Sequence, residues 1–210
     1  MLRNFLLVLA TVFLAVGILF TSIARTASVR YVFNATNSNE ESQVLGESTI
    51  INYQLPFPGR VLPDSTLWPL KAGRDKLWLL LTPTPERKSE LNLLFADKRL
   101  VMARMLFEKD KPEIAYSTLT KAEKYLESSA NYEVQARERG VDTTELLERI
   151  SEASLKHIEE MEEMQKIAPD DAEPKIIDVK ENYAERVYER VRDSMFEEGL
   201  TPPENPFNGH

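Results

Sequence analysis

The chain has 210 residues, with 26 Lys and Arg against 34 Asp and Glu, a formal net charge of −8, and no cysteine. The missing thiols exclude disulfides, thiolate metal sites and cysteine nucleophiles together, and the acidic balance argues against nucleic acid as a partner. Only 7 glycines beside 29% charged residues favours a helical, solvent-exposed protein over a β-sandwich.

The start is the most apolar part. Phe5 to Ile23 is an uncharged, mostly apolar run between Arg3 and Arg25. As a helix it would be about 28 Å long, close to the ~30 Å hydrocarbon layer of a bilayer. Residues 1–25 are therefore expected to be a transmembrane anchor. The alternative is a cleaved signal peptide, with Ser22 and Ala24 as the small residues before the cut. Arg3 and the amine on one side nearly balance Arg25 and Arg30 on the other. The short leader favours a single pass through the cell membrane with the bulk of the chain outside the cytoplasm. Cleavage would instead give a secreted or periplasmic protein.

Residues 26–63 read as a linker. Asn34 to Ser48 is polar and has little to bury. Ser48 to Leu55 has the composition of a short strand, without an evident partner. Leu55 to Pro63, L-P-F-P-G-R-V-L-P, favours an extended arm. This arm is expected to lie along the helical part and bury Phe57 and Val61.

Residues 64–199 are expected to form an all-α domain of about five helices. The first covers about Ser65 to Leu81, with Asp64 as N-cap and Pro69 pushing the start later; Leu70, Leu77, Trp78 and Leu81 are its apolar side. The second opens at Thr84-Pro85 and runs to about Lys109, with Leu91, Leu94, Phe95, Lys98, Met102, Met105 and Leu106 at helical spacing. The third runs from Pro112 to a stop at Gly140, its buried positions Ile114, Ala115, Leu119, Ala122, Leu126 and Tyr132. The fourth starts from a carboxylate capping box, Asp142 with Glu145, and ends before Pro169; its stripe is Leu146, Leu147, Ile150, Ser154, Ile158, Met161 and Met164. The fifth, Pro174 to Gly199, repeats Ile176, Val179, Tyr183, Val187, Val191 and Met195. Short connections force antiparallel neighbours, in a bundle, a pair of helical hairpins or a coiled coil. The tail, residues 200–210, is too rich in Pro and Asn to continue and is expected to be disordered.

No catalytic constellation stands out. There is no Walker motif, G-x-G-x-x-G or nucleophile elbow. Most glutamates fall on polar helix faces, where water keeps them ordinary. From Gly140 onward the chain carries 19 acidic and 8 basic residues, which reads as a solvated surface. His157 has Glu160 at i+3 and Met161 at i+4, with Met164 a turn further. That set leaves metal binding open, although both methionines also fit the apolar stripe. Tyr132, Tyr183, Tyr188, Phe196 and Trp68 are either a binding groove or core edges. The hairpin around Ala103 to Ala122 has tetratricopeptide-like spacing but no second copy, so it reads as ordinary helix packing.

Two segments carry a resemblance. Val61 to Lys71, V-L-P-D-S-T-L-W-P-L-K, and Leu91 to Leu100, L-N-L-L-F-A-D-K-R-L, with Lys121 to Leu126, K-A-E-K-Y-L, resemble an uncharacterised domain family of exported or membrane-anchored bacterial proteins. The likeness covers roughly Leu55 to Leu126. It implies export and a helical fold, and it supplies no active site. The expected function is that of a membrane-tethered, extracytoplasmic helical protein working through protein–protein contact as scaffold, adaptor or envelope component. It is expected to be no enzyme and to need no cofactor. Its expected partners are the membrane, through residues 5–23, and an unknown protein or a second copy. The alternative is a secreted or periplasmic binder of a metal or small ligand.

Overall fold

The computed structural model describes residues 51–207. The anchor or signal expected over residues 1–25, the polar part of the linker and the last three residues lie outside them. Among the described residues there are five helices and no strand, and no helix is long and apolar enough to cross a membrane.

Helix α1 is Trp68–Leu81, α2 is Pro85–Glu108, α3 is Pro112–Arg137 and α4 is Thr144–Ile167. The fifth, α5, is one rod in three stretches: α-helical Glu173–Val179, a π-helical turn Lys180–Glu185 and α-helical Arg186–Glu197. The proline and glycine punctuation accounts for most of these bounds. Pro69, Pro85, Pro112 and Pro174 each sit in a first turn, where the missing N–H has no helical partner to lose. Gly140 and Gly199 take φ of +77° and +73° after α3 and α5. There Val141 N–H returns to the Ala136 carbonyl and Leu200 N–H to that of Met195.

Four side-chain contacts fix the direction of the helices. Ser89 near the start of α2 bonds Ser129 near the end of α3, so those two run antiparallel. Asp97 and then Arg104 of α2 meet His157 and then Glu160 of α4, so these are parallel. Arg137 at the end of α3 reaches Ser194 at the end of α5. The result is an up-down-up-down four-helix bundle of α2 to α5. Leu93, Leu100, Leu106, Leu119, Leu126, Leu147, Ile150 and Ile158 fill its centre, all fully buried. Helix α1 stands outside and touches α2 alone among the helices.

Several sequence expectations are corrected. Asp64 caps nothing: α1 begins at Trp68 after a turn, and Asp64 instead pairs with Lys111 at the head of α3, 2.6 Å away. Helix α4 begins two residues past Asp142, whose carboxylate accepts from Thr144 N–H at 3.0 Å and forms no capping box. Ile114 is exposed rather than buried. The stripe of α5 passes from Val179 to Ala184, not Tyr183, because the π turn shifts the register by one residue. In that turn the Asn182 side-chain amide donates to the Asp178 carbonyl at 2.9 Å, a side-chain alternative to ordinary helical bonding.

The arm does lie on the bundle, but through other residues than expected. Phe57 is 61% exposed, while Pro58 and Leu62 are buried and Tyr53 and Leu55 pack on the core. Leu70 points outward at 77% exposure, so it does not fasten the arm. Residues 201–207 fold back over α5 instead of lying free: Tyr188 donates to the Pro203 carbonyl at 2.7 Å, and Phe207 packs on the core.

Candidate functional site

Two places in the structure concentrate chemistry. The first is a chain of buried polar groups across the bundle. Asp97 on α2 replaces the apolar residue expected between Leu93 and Leu100, Glu123 on α3 the one between Leu119 and Leu126, and His157 on α4 the one before Met161. All three therefore face the core. His157 Nδ1 lies 2.7 Å from Glu123 Oε1, and its Nε2 lies 3.2 Å from Asp97 Oδ1. The hydroxyl of Tyr53, on the arm, donates to the other Asp97 oxygen at 2.8 Å. Burial alone would pull the imidazole toward neutrality, but the facing carboxylates outweigh it and lift the His157 pKa to about 10. At neutral pH the ring is an imidazolium that donates from both nitrogens. Burial and the neighbouring Asp97 raise Tyr53 well above its ordinary value, so its hydroxyl keeps its proton.

This arrangement occupies both ring nitrogens of the histidine that the sequence singled out as a metal candidate. A histidine that donates from both nitrogens has no lone pair for a cation. Met161 and Met164 are fully buried in the apolar core, and Glu160 turns to Lys156 and Arg104, at 3.1 and 3.0 Å. Among the described residues no group of three or more His, Asp or Glu is placed to hold a metal ion. The expectation that the glutamates lie on solvated faces is also corrected: Glu123, Glu133, Glu159 and Glu160 are buried. Glu133 is held by Thr143 at 2.6 Å and Arg137 at 3.3 Å, which ties the α3–α4 turn to the bundle.

The second place is a cleft of about 760 Å3 between the arm, α1 and α2. Trp68 and Trp78 of α1 form part of its wall, with Phe95 and Met102 of α2. Trp78 meets Phe95 edge-on at 6.1 Å between ring centroids, and Phe95 meets Tyr125 of α3 at 5.8 Å. The Arg99 guanidinium sits among these rings, 4.4 Å from the centroid of Tyr125 and 5.7 Å from that of Trp68. Lys71 Nζ donates to the carbonyls of Pro58 and Val61, at 2.9 and 3.0 Å, and so fastens the bend of the arm to α1. Burial first, then the like charges of Lys98, Arg74 and Arg99, lowers the Lys71 pKa to about 8 against the pull of Asp75.

The aromatic residues singled out in the sequence do not form one groove. Trp68 lines the cleft, whereas Tyr183 and Tyr188 are on α5, which α1 does not touch. Tyr132 is half-buried on α3 under Lys88, and Phe196 is exposed.

Residues 60–171 match the model of a domain of unknown function, DUF5667, which is more than half the chain. The chain belongs to the DUF5667 family. The DUF5667 span runs from the bend of the arm through α1, α2, α3 and α4 and stops before α5. It takes in α4, which lies beyond the Leu55 to Leu126 span of the resemblance and matched only loosely in the sequence, and it leaves out α5. The buried triad and the two helices of the cleft lie inside it; Tyr53 and the whole of α5 lie outside. The bundle of this DUF5667 member is thus closed by a helix the family model does not include. No curated protein and no solved structure matches the chain.

Proposed function

We propose that this protein is a membrane-tethered helical module, held outside the cytoplasm, that works by contact with another protein and not by turnover. The observation that carries this reading is the outer face of α1. Leu67, Leu70, Leu77 and Leu80 recur at helical spacing, and Leu70 and Leu80 are 77% and 78% exposed. Those side chains cover nothing in the bundle, and exposed apolar residues in one row are what a partner surface buries. The buried triad supports the same reading. Its carboxylates are engaged by an imidazolium and a tyrosine in the interior, where no substrate reaches, so they hold the arm and the bundle together. The tether is read from the apolar segment of residues 5–23.

The test is made in the native membrane with a photo-crosslinking residue at Leu80, and at Glu145 as an exposed control on the bundle. The expected result is a discrete crosslinked species from Leu80 alone, with an intact mass that retains residues 1–24. A crosslink between two copies would make the partner a second chain. Identical patterns at both positions would remove α1 as the contact surface, and loss of residues 1–24 would remove the tether.

A further inference from the structure

The cleft behind α1 has a composition unlike the rest of the molecule. The chain carries a net charge of −8, yet Arg60, Lys71, Arg74, Lys98 and Arg99 line this cleft, with Asp75 the sole acidic residue in its wall among the described residues. Asp75 is already taken by Arg74, at 2.7 Å. Lys71 is committed to the carbonyls of the arm. Arg99 is different. Only 6% of it is exposed, its Nε has no acceptor among the described residues, and its NH1 reaches only the Phe95 carbonyl at 3.5 Å. A buried guanidinium with an unused donor is costly, because the water that donor gave up is not replaced. Lys98 stands beside it half-buried, its charged form disfavoured by burial and by Arg74 against the pull of Asp75 and Asp97. An anion at this point would relieve both.

The remaining wall is apolar. Phe57 from the arm and Leu67, Leu70 and Leu77 from α1 form the mouth, and Trp68, Trp78 and Met102 lie deeper. The volume falls within the ~300–1,000 Å3 usual for small-molecule sites. A bare phosphate would leave that apolar surface uncovered, and a neutral lipid would leave Arg99 unmet. We propose that the cleft between the arm, α1 and α2 binds an anionic amphiphile, with its charged head against Arg99 and Lys98 and its hydrocarbon chain against Phe57, Leu70 and Leu77. The inference goes beyond the protein contact proposed above; the two share Leu67, Leu70 and Leu77, and they are told apart because Leu80, the crosslinking position, lies outside the cleft wall while Arg99 and Lys98 lie in it.

The chain has two tryptophans, Trp68 and Trp78, and both line the cleft, so tryptophan fluorescence reports on this site alone. The full chain is placed in phosphatidylcholine nanodiscs and titrated with 9,10-dibromostearate, its methyl ester serving as the uncharged probe. The expected result is saturable quenching by the acid, much weaker quenching by the ester, and at least a tenfold loss of affinity in Arg99→Gln. Lys98→Gln, at a half-buried position, is expected to lose several-fold and serves if Arg99→Gln fails to fold, as judged by circular dichroism and melting. Nanodiscs that carry brominated phosphatidylglycerol without free acid separate the two sources of ligand: quenching there makes it a bilayer lipid, and quenching by free acid alone makes it a monomer. Equal quenching by acid and ester, no quenching by either, or quenching untouched by both variants would overturn the proposal.

Discussion

His157 Nδ1 and Glu123 Oε1 lie 2.7 Å apart in the centre of the bundle, both side chains without exposure to water. That one pair, braced by Asp97 on the other side of the ring, joins α2, α3 and α4 at a single point. It also fixes the charge state of the histidine, and so ties stability to pH.

Because the folded pKa of about 10 stands above the ordinary 6.5, the folded protein keeps a proton that the unfolded chain releases. The stabilisation is complete below pH 6.5 and declines as pH rises toward 10, by at most about 1.4 kcal/mol per unit. Lys71 acts in the opposite sense. Its folded value of about 8 is below the ordinary 10.5, so losing its proton favours the fold from pH 8 upward. The window from pH 6.5 to 8 therefore isolates the histidine. Urea unfolding there is expected to show stability falling with pH in the wild type and level in His157→Gln. A wild-type curve without slope would mean that the ring is neutral in the fold.

Truncating one member of the buried set should cost more than its size suggests. Glu123→Ala leaves the imidazolium with half its compensation and is expected to lose about 3–5 kcal/mol. Tyr53→Phe removes only the hydroxyl that Asp97 accepts from and is expected to lose ~1–2 kcal/mol. The two differ in what they release. Tyr53→Phe should raise hydrogen exchange in residues 51–63 with little change in α2 to α4, whereas Glu123→Ala should raise exchange throughout the bundle.

Leucines of similar appearance in the sequence should respond in opposite ways. Leu119 is fully buried, so Leu119→Ala is expected to cost ~2–5 kcal/mol in chemical denaturation. Leu80 is 78% exposed, and Leu80→Ala is expected to stay within about 0.5 kcal/mol. A large loss at Leu80 would show that α1 has a covered outer face in solution.

Two glycines offer a similar contrast. Gly140 sits at φ +77° with open space around a Cβ, so Gly140→Ala meets only backbone strain and should lose about 1–2 kcal/mol. Gly73 lies inside α1, also with nothing near a Cβ, and Gly73→Ala should gain about 0.5–1 kcal/mol. Thermal melts of the two variants, shifted down and up, check both signs.

The helices of the bundle were legible because proline, glycine and apolar spacing are local signals, and local signals survive in one dimension. The start of α1 was harder to place, since Asp64 is as good a cap as many but is drawn away by Lys111, 47 residues on. The candidate sites were less visible still. Asp97 and Glu123 each occupy an apolar register position, flanked by Leu93 and Leu100 and by Leu119 and Leu126. Each alone looks like a flaw in a stripe. Only together with His157 in the register of Met161 do they form a signal: three polar residues in apolar positions on three consecutive helices, able to pair through the imidazole, with Tyr53 meeting the second Asp97 oxygen and Glu123 Oε2 left without a partner.

The amino-acid sequence by itself determined the all-α class, the five helices and the proline-rich arm, because each follows from short-range backbone preference and periodicity. The tertiary structure alone decided which polar groups are buried and which leucines are not. Burial depends on what packs opposite, and that is a property of residues far apart in the chain. His157 became a buried cation through Asp97 and Glu123, 60 and 34 residues away. Arg99 became a guanidinium with an unmet donor for the same reason, since the rings of Trp68 and Tyr125 closed over it from two other helices.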